Sequence, residues 1–93
     1  MLKNVIFRIE IFKEEDQFIA LCPELNVSSY DDTVEGVKRS INEAVELFLE
    51  ECAEAGTLEE VLEESGFQRM DKPQEGWVSR EPIVVEKVSV VTV

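Results

Sequence analysis

The sequence predicts an α+β domain: a three-stranded antiparallel sheet with one long helix packed on it, a second short helix and a C-terminal strand. Two observations carry this prediction. Apolar and polar residues alternate over residues 4–13, as in a half-buried strand. From residue 34 onwards, apolar residues recur at steps of three and four, as in an amphipathic helix. A chain of 93 residues is long enough for one domain and too short for two independent cores.

Three predicted strands precede the long helix. Residues 4–13 form the first strand, and an acidic turn at 14–17 leads into a second over 17–22, so the two make a hairpin. Pro23 has no N–H to donate to a strand ladder and therefore ends the second strand. Residues 26–30, NVSSY, are compatible with a short third strand.

The long helix is predicted from about Val34 to about Ala55, with Gly56 ending it. Asp32 is the expected N-cap, because Glu35 stands three residues later at the spacing of a capping box; Thr33 is the competing cap. The apolar stripe comprises Val37, Ile41, Ala44, Val45, Phe48, Leu49 and Cys52.

A shorter helix is predicted to begin at Thr57, where Glu60 again stands at capping-box spacing, and to end at Gly66. Its inward residues are expected to be Leu58, Val61 and Leu62. Residues 1–66 would then form the core of a single domain.

The remaining residues are predicted to be a loop over 67–82 and a strand over 83–93. The loop is polar and contains two prolines and a glycine, whereas the final segment, IVVEKVSVVTV, is dense in valine. From Val88 this segment is apolar on both faces, and such an edge aggregates unless it is paired. We therefore expect it to add to the domain's own sheet or to reach a second subunit. The second possibility predicts a homo-oligomer, at least a dimer, which would also support a small core.

The charge balance favours a protein partner over a nucleic acid. Twenty-one acidic residues against nine basic ones give a net charge of −12, with no histidine. A surface this negative repels phosphate backbones, so direct nucleic-acid binding is not expected, whereas a basic protein would be attracted. The alternative interpretation is that acidity only keeps the protein soluble.

Neither cysteine is expected to bind a metal or to catalyse a reaction. Cys22 and Cys52 lie far apart, and the chain has no histidine to complete a zinc site or to activate a thiol. We interpret both as small buried apolar residues. The apolar N-terminal patch is interrupted by Arg8 and Glu10, which is typical neither of a secretory segment nor of a membrane span, so a cytosolic location is expected.

Two features are candidate partner contacts. Glutamates form an outer acidic face on the two helices, and this face is either merely solvated or a surface for a basic partner; its members are Glu43, Glu46, Glu50, Glu51, Glu54, Glu59, Glu60, Glu63 and Glu64. Trp77 stands in the polar loop, where it would serve an interface or cover the end of a small core.

A run of motifs resembles the HicB family of antitoxins and their stand-alone relatives. The resemblance rests on a Cys-Pro-Glu-Leu segment at 22–25 (Cys22, Pro23), an Asp-Thr helix start at Asp32 and Thr33, and a helical core with the sequence Ile-Asn-Glu-Ala-Val-Glu-Leu. That core comprises Ile41, Asn42, Glu43, Ala44, Val45, Glu46 and Leu47. The chain departs from the family at Asp31, where many members carry glycine.

The resemblance implies a fold like a truncated RNase H domain and a small basic partner, a HicA-type ribonuclease that cleaves mRNA. It implies no enzyme activity and no cofactor. Many family members carry an additional DNA-binding domain, but residues 67–93 are too short and too valine-rich for a helix-turn-helix. A stand-alone oligomeric scaffold with no toxin is therefore the alternative.

RNase H-like folds also suggest a metal-dependent nuclease, for which the available carboxylates are Glu10, Glu24, Asp31 and Asp32. Two-metal hydrolysis needs several carboxylates that converge on one point. The spacing of these four does not require convergence, and we expect neither a nuclease nor a metal site.

Overall fold

The computed structural model describes residues 4–71 and 75–93. Within these ranges it confirms the α+β class, with two sheets of three strands each and two helices, one of them long. The elements in chain order are β1 (Asn4–Ile6), β2 (Glu10–Glu14), β3 (Gln17–Cys22), β4 (Val27–Asp31), α1 (Val34–Glu54), α2 (Leu58–Glu64), β5 (Gln68–Met70) and β6 (Gly76–Val78).

Strands β2, β3 and β4 form an antiparallel sheet in that order. Ala20, in the middle strand, lies opposite Ile11 on one side and Ser29 on the other. Helix α1 packs on β3 and β4, and the buried side chains of Ala20 and Cys22 lie within the resulting core. This part of the fold is local in sequence, since each strand pairs with the next one along the chain.

The prediction of one continuous strand over 4–13 is wrong. Residues 7–9 belong to no strand, and they separate β1 from β2. The two halves have different partners: β2 pairs with β3, whereas β1 runs parallel to β6, with Val5 opposite Trp77. The alternation of apolar residues continues through the break, so the pattern contains no sign that the partner changes.

The prediction of a loop over 67–82 is also wrong in part. Strands β5 and β6 fall in this segment and form a second sheet in the order β1-β6-β5. Gly76 permits the close parallel approach, because a Cβ there would lie 2.1 Å from the backbone oxygen of Asn4. Residues 72–74 of the predicted loop, like residues 1–3, lie outside the described residues.

The predicted C-terminal strand is not formed within the chain. The backbone N–H of Ser79 donates to the oxygen of Ile6 at 2.9 Å, and no helix or strand follows among residues 79–93. The side chains of residues 83–93 are all exposed. Valine-rich sequence favours a strand only where an edge is available to pair with it, and this segment pairs with no strand in the described part of the chain.

Thr33, and not Asp32, caps α1. Its Oγ1 accepts a hydrogen bond from the N–H of Gly36 at 2.9 Å, and its own N–H donates to Oδ1 of Asp31 at 3.3 Å. Asp32 is exposed and makes neither of these bonds. The helix ends as predicted, with Ala55 as its C-cap.

The second helix begins at Leu58, but the predicted capping box at Thr57 is absent. The hydroxyl of Thr57 donates instead to the backbone oxygen of Cys52 at 3.3 Å, which ties the start of α2 to the end of α1. Leu62 is fully buried, and Leu58 and Val61 pack against the core as predicted.

One apolar core joins both sheets to both helices. Its buried members are Ala20, Cys22, Leu25, Val37, Ile41, Val45, Leu62, Phe67 and Trp77. Two of these, Phe67 and Trp77, come from the segment predicted to be a loop. Neither helix of the described ranges combines the length and the apolar composition needed to span a membrane.

Candidate protein-binding surface

Four of the predicted partner-binding glutamates lie together on the exposed side of α1. Glu43, Glu46, Glu50 and Glu54 follow one another at steps of three and four residues, and all four are exposed. This spacing places them on neighbouring turns of the helix. Among the described residues, none of their carboxylates has a hydrogen-bond or ion-pair partner. We call these four residues the acidic face.

An apolar side chain lies among these charges. Leu47 is 58% exposed and lies four residues after Glu43 and three residues before Glu50. The exposure of Leu47 follows from the sequence, because Leu47 falls outside the apolar stripe of α1. Leu47 is, however, not among the predicted partner contacts. An exposed leucine surrounded by carboxylates offers apolar area together with negative charge.

A groove of about 600 Å³ runs beside the acidic face, between α1, α2 and β1. Its apolar lining includes Val5, Phe7, Val45, Leu49, Ala53, Leu58 and Trp77, and its polar lining comprises Asn4, Asn42, Glu46, Glu50 and Glu59. An apolar floor with a charged rim is the usual composition of a protein-binding surface. We call it the α1–β1 groove.

Trp77 contributes to the floor of this groove and not to an exposed interface. Its side chain is only 2% exposed, so the alternative interpretation, a cover for the core, describes its position. The guanidinium carbon of Arg69 lies 4.8 Å from the centre of the ring. Arg69 also pairs with Glu59, 3.5 Å from Nη2 to Oε2. Trp77 is therefore a structural residue that a partner can reach only through the groove.

Two of the four candidate nuclease carboxylates are engaged in an ion-pair cluster. Arg8 Nη1 donates to Glu10 Oε2 at 2.7 Å, and Nη2 donates to Glu24 Oε2 at 3.0 Å. These hydrogen bonds, the one to Glu10 first, raise the pKa of Arg8 above its usual value. The cluster links the segment between β1 and β2 to the turn that follows β3.

The other two candidates lie at the start of α1. Asp31 accepts the hydrogen bond from the N–H of Thr33, and Asp32 borders an acidic cleft near the β2–β3 turn. Within residues 4–71 and 75–93, no three cysteine, aspartate or glutamate side chains lie close enough together to hold a metal ion. Glu10, Glu24 and Asp31 each accept a hydrogen bond within the fold, whereas Asp32 is exposed.

The Cys-Pro-Glu-Leu motif forms a compact turn. Cys22 and Leu25 are buried, and the N–H of Asn26 donates to the oxygen of Pro23 at 3.3 Å. Burial raises the pKa of the Cys22 thiol above its ordinary value. Cys52 is also a free, buried cysteine. The motif thus holds the end of β3 against the core.

The remaining motif residues lie along α1. Asn42 is exposed at the groove, Ala44 is half-buried, and Glu43 belongs to the acidic face. The sequence predicted the acidic face from helical spacing alone. The groove could not be predicted in this way, because Val5 and Phe7 reach it only after β1 pairs with β6.

No protein-family model, no curated protein and no solved structure matches this chain.

Proposed function

We propose that the chain is a HicB-like antitoxin, a protein-binding module that neutralises a small basic HicA-type ribonuclease by covering its RNA-binding surface. The proposal includes a truncated RNase H-like fold, which the family resemblance implies, and a cytosolic location, which is expected from the N-terminal sequence and the cysteines. The single observation that carries it is the acidic face, whose four exposed carboxylates have no hydrogen-bond or ion-pair partner among the described residues and which includes the exposed Leu47 between Glu46 and Glu50.

The chemistry of the acidic face suits this role. A protein that cleaves RNA must attract phosphates, and it does so with lysine and arginine side chains. Carboxylates at regular spacing on a rigid helix can occupy the same positions as those phosphates. The net charge of −12 would also accelerate the encounter with a basic partner.

Apolar contacts would supply the rest of the binding energy. Interfaces concentrate affinity in a few apolar or aromatic residues that become fully desolvated, surrounded by polar residues that exclude water. Leu47 has this setting within the acidic face. No cofactor or catalytic residue is required.

The first test is capture of the partner. The tagged protein is purified from its own host after nuclease treatment, and co-eluting proteins are identified by mass spectrometry. We expect a small basic protein in stoichiometric amount, and we expect it to cleave RNA once separated from this chain. Absence of any such protein, together with a clean homo-oligomer, would contradict the proposal.

Charge reversal then locates the binding surface. We expect Glu46→Lys with Glu50→Lys to weaken binding of the captured ribonuclease at least about tenfold, or about 1.4 kcal/mol. The matched control, Glu14→Lys with Asp16→Lys, makes the same change in net charge at exposed residues near the β2–β3 turn. Equal weakening by both pairs, measured by titration calorimetry, would indicate an effect of total charge and not of the acidic face.

The alternative is a stand-alone oligomeric scaffold or regulatory protein with no toxin partner. The exposed valine-rich segment at 83–93 favours it, because that segment is suited to contact another chain. A small basic reading frame beside the coding sequence would favour the antitoxin, and its absence would favour the scaffold.

A further inference from the structure

We propose that residues 83–93 of one copy add as a strand to the open edge of β1 in a second copy and fill its α1–β1 groove. The exchange is reciprocal, so two copies form a symmetric dimer through two identical contacts. This inference does not depend on the existence of a toxin.

The donor segment has the composition of a strand but no partner strand among residues 4–71 and 75–93. Seven of its eleven residues are isoleucine or valine, and each of these side chains is at least 64% exposed: Ile83, Val84, Val85, Val88, Val90, Val91 and Val93. Monomeric proteins rarely expose so much contiguous apolar surface. The radius of gyration, 15.5 Å, exceeds the value of about 12 Å expected for a compact chain of this length. The segment therefore extends away from the core.

The acceptor is the edge of the second sheet. In the order β1-β6-β5, β1 is the outer strand. The N–H of Asn4 donates to the oxygen of Glu75, and the oxygen of Ile6 accepts from the N–H of Ser79. Peptide groups alternate in direction along a strand, so the N–H and C=O of Val5, between these two residues, point away from β6. An added strand can use both groups.

The groove lies where the side chains of such a strand would go. It is bordered by β1 on one side and by α1 on the other, with Leu49, Ala53 and Leu58 among its apolar contacts. Every second side chain of a paired strand points to the same face. Strand addition thus combines backbone hydrogen bonds to β1 with apolar side chains entering the groove, which is a common mode of peptide recognition.

Charge does not oppose this arrangement. The rim of the groove carries Glu46 and Glu50, which are exposed. In the donor segment Glu86 precedes Lys87, and these are its only charged side chains, so it carries no net side-chain charge that the acidic rim would repel.

Residues 83–93 fill the groove of a second copy, and not their own groove, because of the direction in which the chain leaves β6. Strand β6 runs parallel to β1, so the chain after Ser79 continues past the end of β1 and away from its edge. A return to the same β1 requires a reversal after Ser79. The backbone bends at Ile83, but residues 80–83 are exposed and no described backbone hydrogen bond closes a turn there.

Disulfide cross-linking between two copies that carry different cysteine substitutions tests the proposal. Full-length Ala53→Cys and Ser89→Cys proteins are mixed and oxidised, with Cys22 and Cys52 retained because both are buried. We expect a disulfide between the two proteins and a dimer mass by light scattering. Ser28→Cys replaces Ala53→Cys as the control, since Ser28 is exposed but does not line the groove. Equal cross-linking at both positions, or a monomer at every concentration, would overturn the proposal.

A chain carrying both Ala53→Cys and Ser89→Cys distinguishes strand exchange between two copies from a segment that folds back into the groove of its own chain. If its disulfide forms within a chain that remains monomeric, the segment fills its own groove and the proposal is wrong. A second variant, Val90→Glu with Val91→Glu, places one charge on each face of the segment. We expect it to weaken dimerisation at least tenfold without loss of helical circular dichroism, whereas Ser28→Glu with Gln68→Glu leaves the dimer intact. An unchanged dimer in the valine variant would contradict the proposal.

Discussion

At the scale of single residues, the start of α1 shows why neighbouring polar residues are hard to rank from sequence. Asp32 and Thr33 are both good N-caps, and Glu35 favoured Asp32 through the capping-box spacing. The structure selects Thr33, because the carboxylate of Asp31 accepts the N–H of Thr33 and positions it. The identity of the N-cap therefore depends on Asp31, which lies outside the capping-box motif.

We expect Thr33→Ala to lower the free energy of unfolding by about 1 kcal/mol, since it removes the hydrogen bond from the N–H of Gly36. Asp32→Ala is the matched control and should change the free energy by less than about 0.5 kcal/mol, because Asp32 is exposed. Urea denaturation of both variants measures the difference. A larger loss for Asp32→Ala would show that the cap is assigned to the wrong residue.

The thiol of Cys22 gives a prediction about pH. Its side chain is 0% exposed, and burial raises its pKa. Below the ordinary thiol pKa of about 8.5, the thiol is neutral in the folded and the unfolded chain. At higher pH the unfolded chain loses this proton first, so the folded state loses relative stability.

The measurement is the shift in urea midpoint between pH 7 and about pH 9.5, a value above the ordinary thiol pKa. We expect a smaller alkaline shift in Cys22→Ala than in the unsubstituted chain, because the variant has no thiol to titrate at this position. Identical shifts in the two proteins would contradict a raised thiol pKa.

At the scale of elements, the sequence predicts the helices and strand pairs whose residues are close together in the chain. The hairpin of β2 and β3 and the long helix α1 follow from periodicity and from the residues that end each element. The pairing of β1 with β6 joins segments that are far apart in the sequence, and the local pattern of neither strand indicates its partner. Strands of three residues are also too short to show alternation.

Gly76 tests the importance of this pairing. A Cβ at this position would lie 2.1 Å from the backbone oxygen of Asn4 and cannot fit unless β1 and β6 move apart. We expect Gly76→Ala to destabilise the chain by about 1–3 kcal/mol, as overpacking does. Chemical denaturation measures this loss.

The control is Gly56→Ala. A Cβ at this position would have no atom within 4 Å, but the backbone φ of Gly56 is +75°. Strain at a left-handed position should cost about 1 kcal/mol. If Gly76→Ala costs less than Gly56→Ala, β1 and β6 are not packed as closely as the structure indicates.

At the scale of the whole molecule, the acidic face was predictable and the groove was not. Helical spacing placed Glu43, Glu46, Glu50 and Glu54 on one surface before any packing was known. The groove requires β1, α1 and α2 to meet, and the exposure of residues 83–93 follows only once it is known that no strand of the described residues pairs with them. The strand propensity of residues 83–93 predicts that they form a strand, but it does not identify the strand with which they pair.

The measurement that tests the proposed function most directly is inhibition of RNA cleavage by titration. Increasing amounts of this chain are added to the ribonuclease captured with it, and the cleavage rate is followed. We predict that cleavage stops at a fixed stoichiometric ratio, and that Glu46→Lys with Glu50→Lys shifts the titration to higher concentration while Glu14→Lys with Asp16→Lys does not. A cleavage rate that stays unchanged at a large excess of the unsubstituted chain would contradict the proposal that it is an antitoxin.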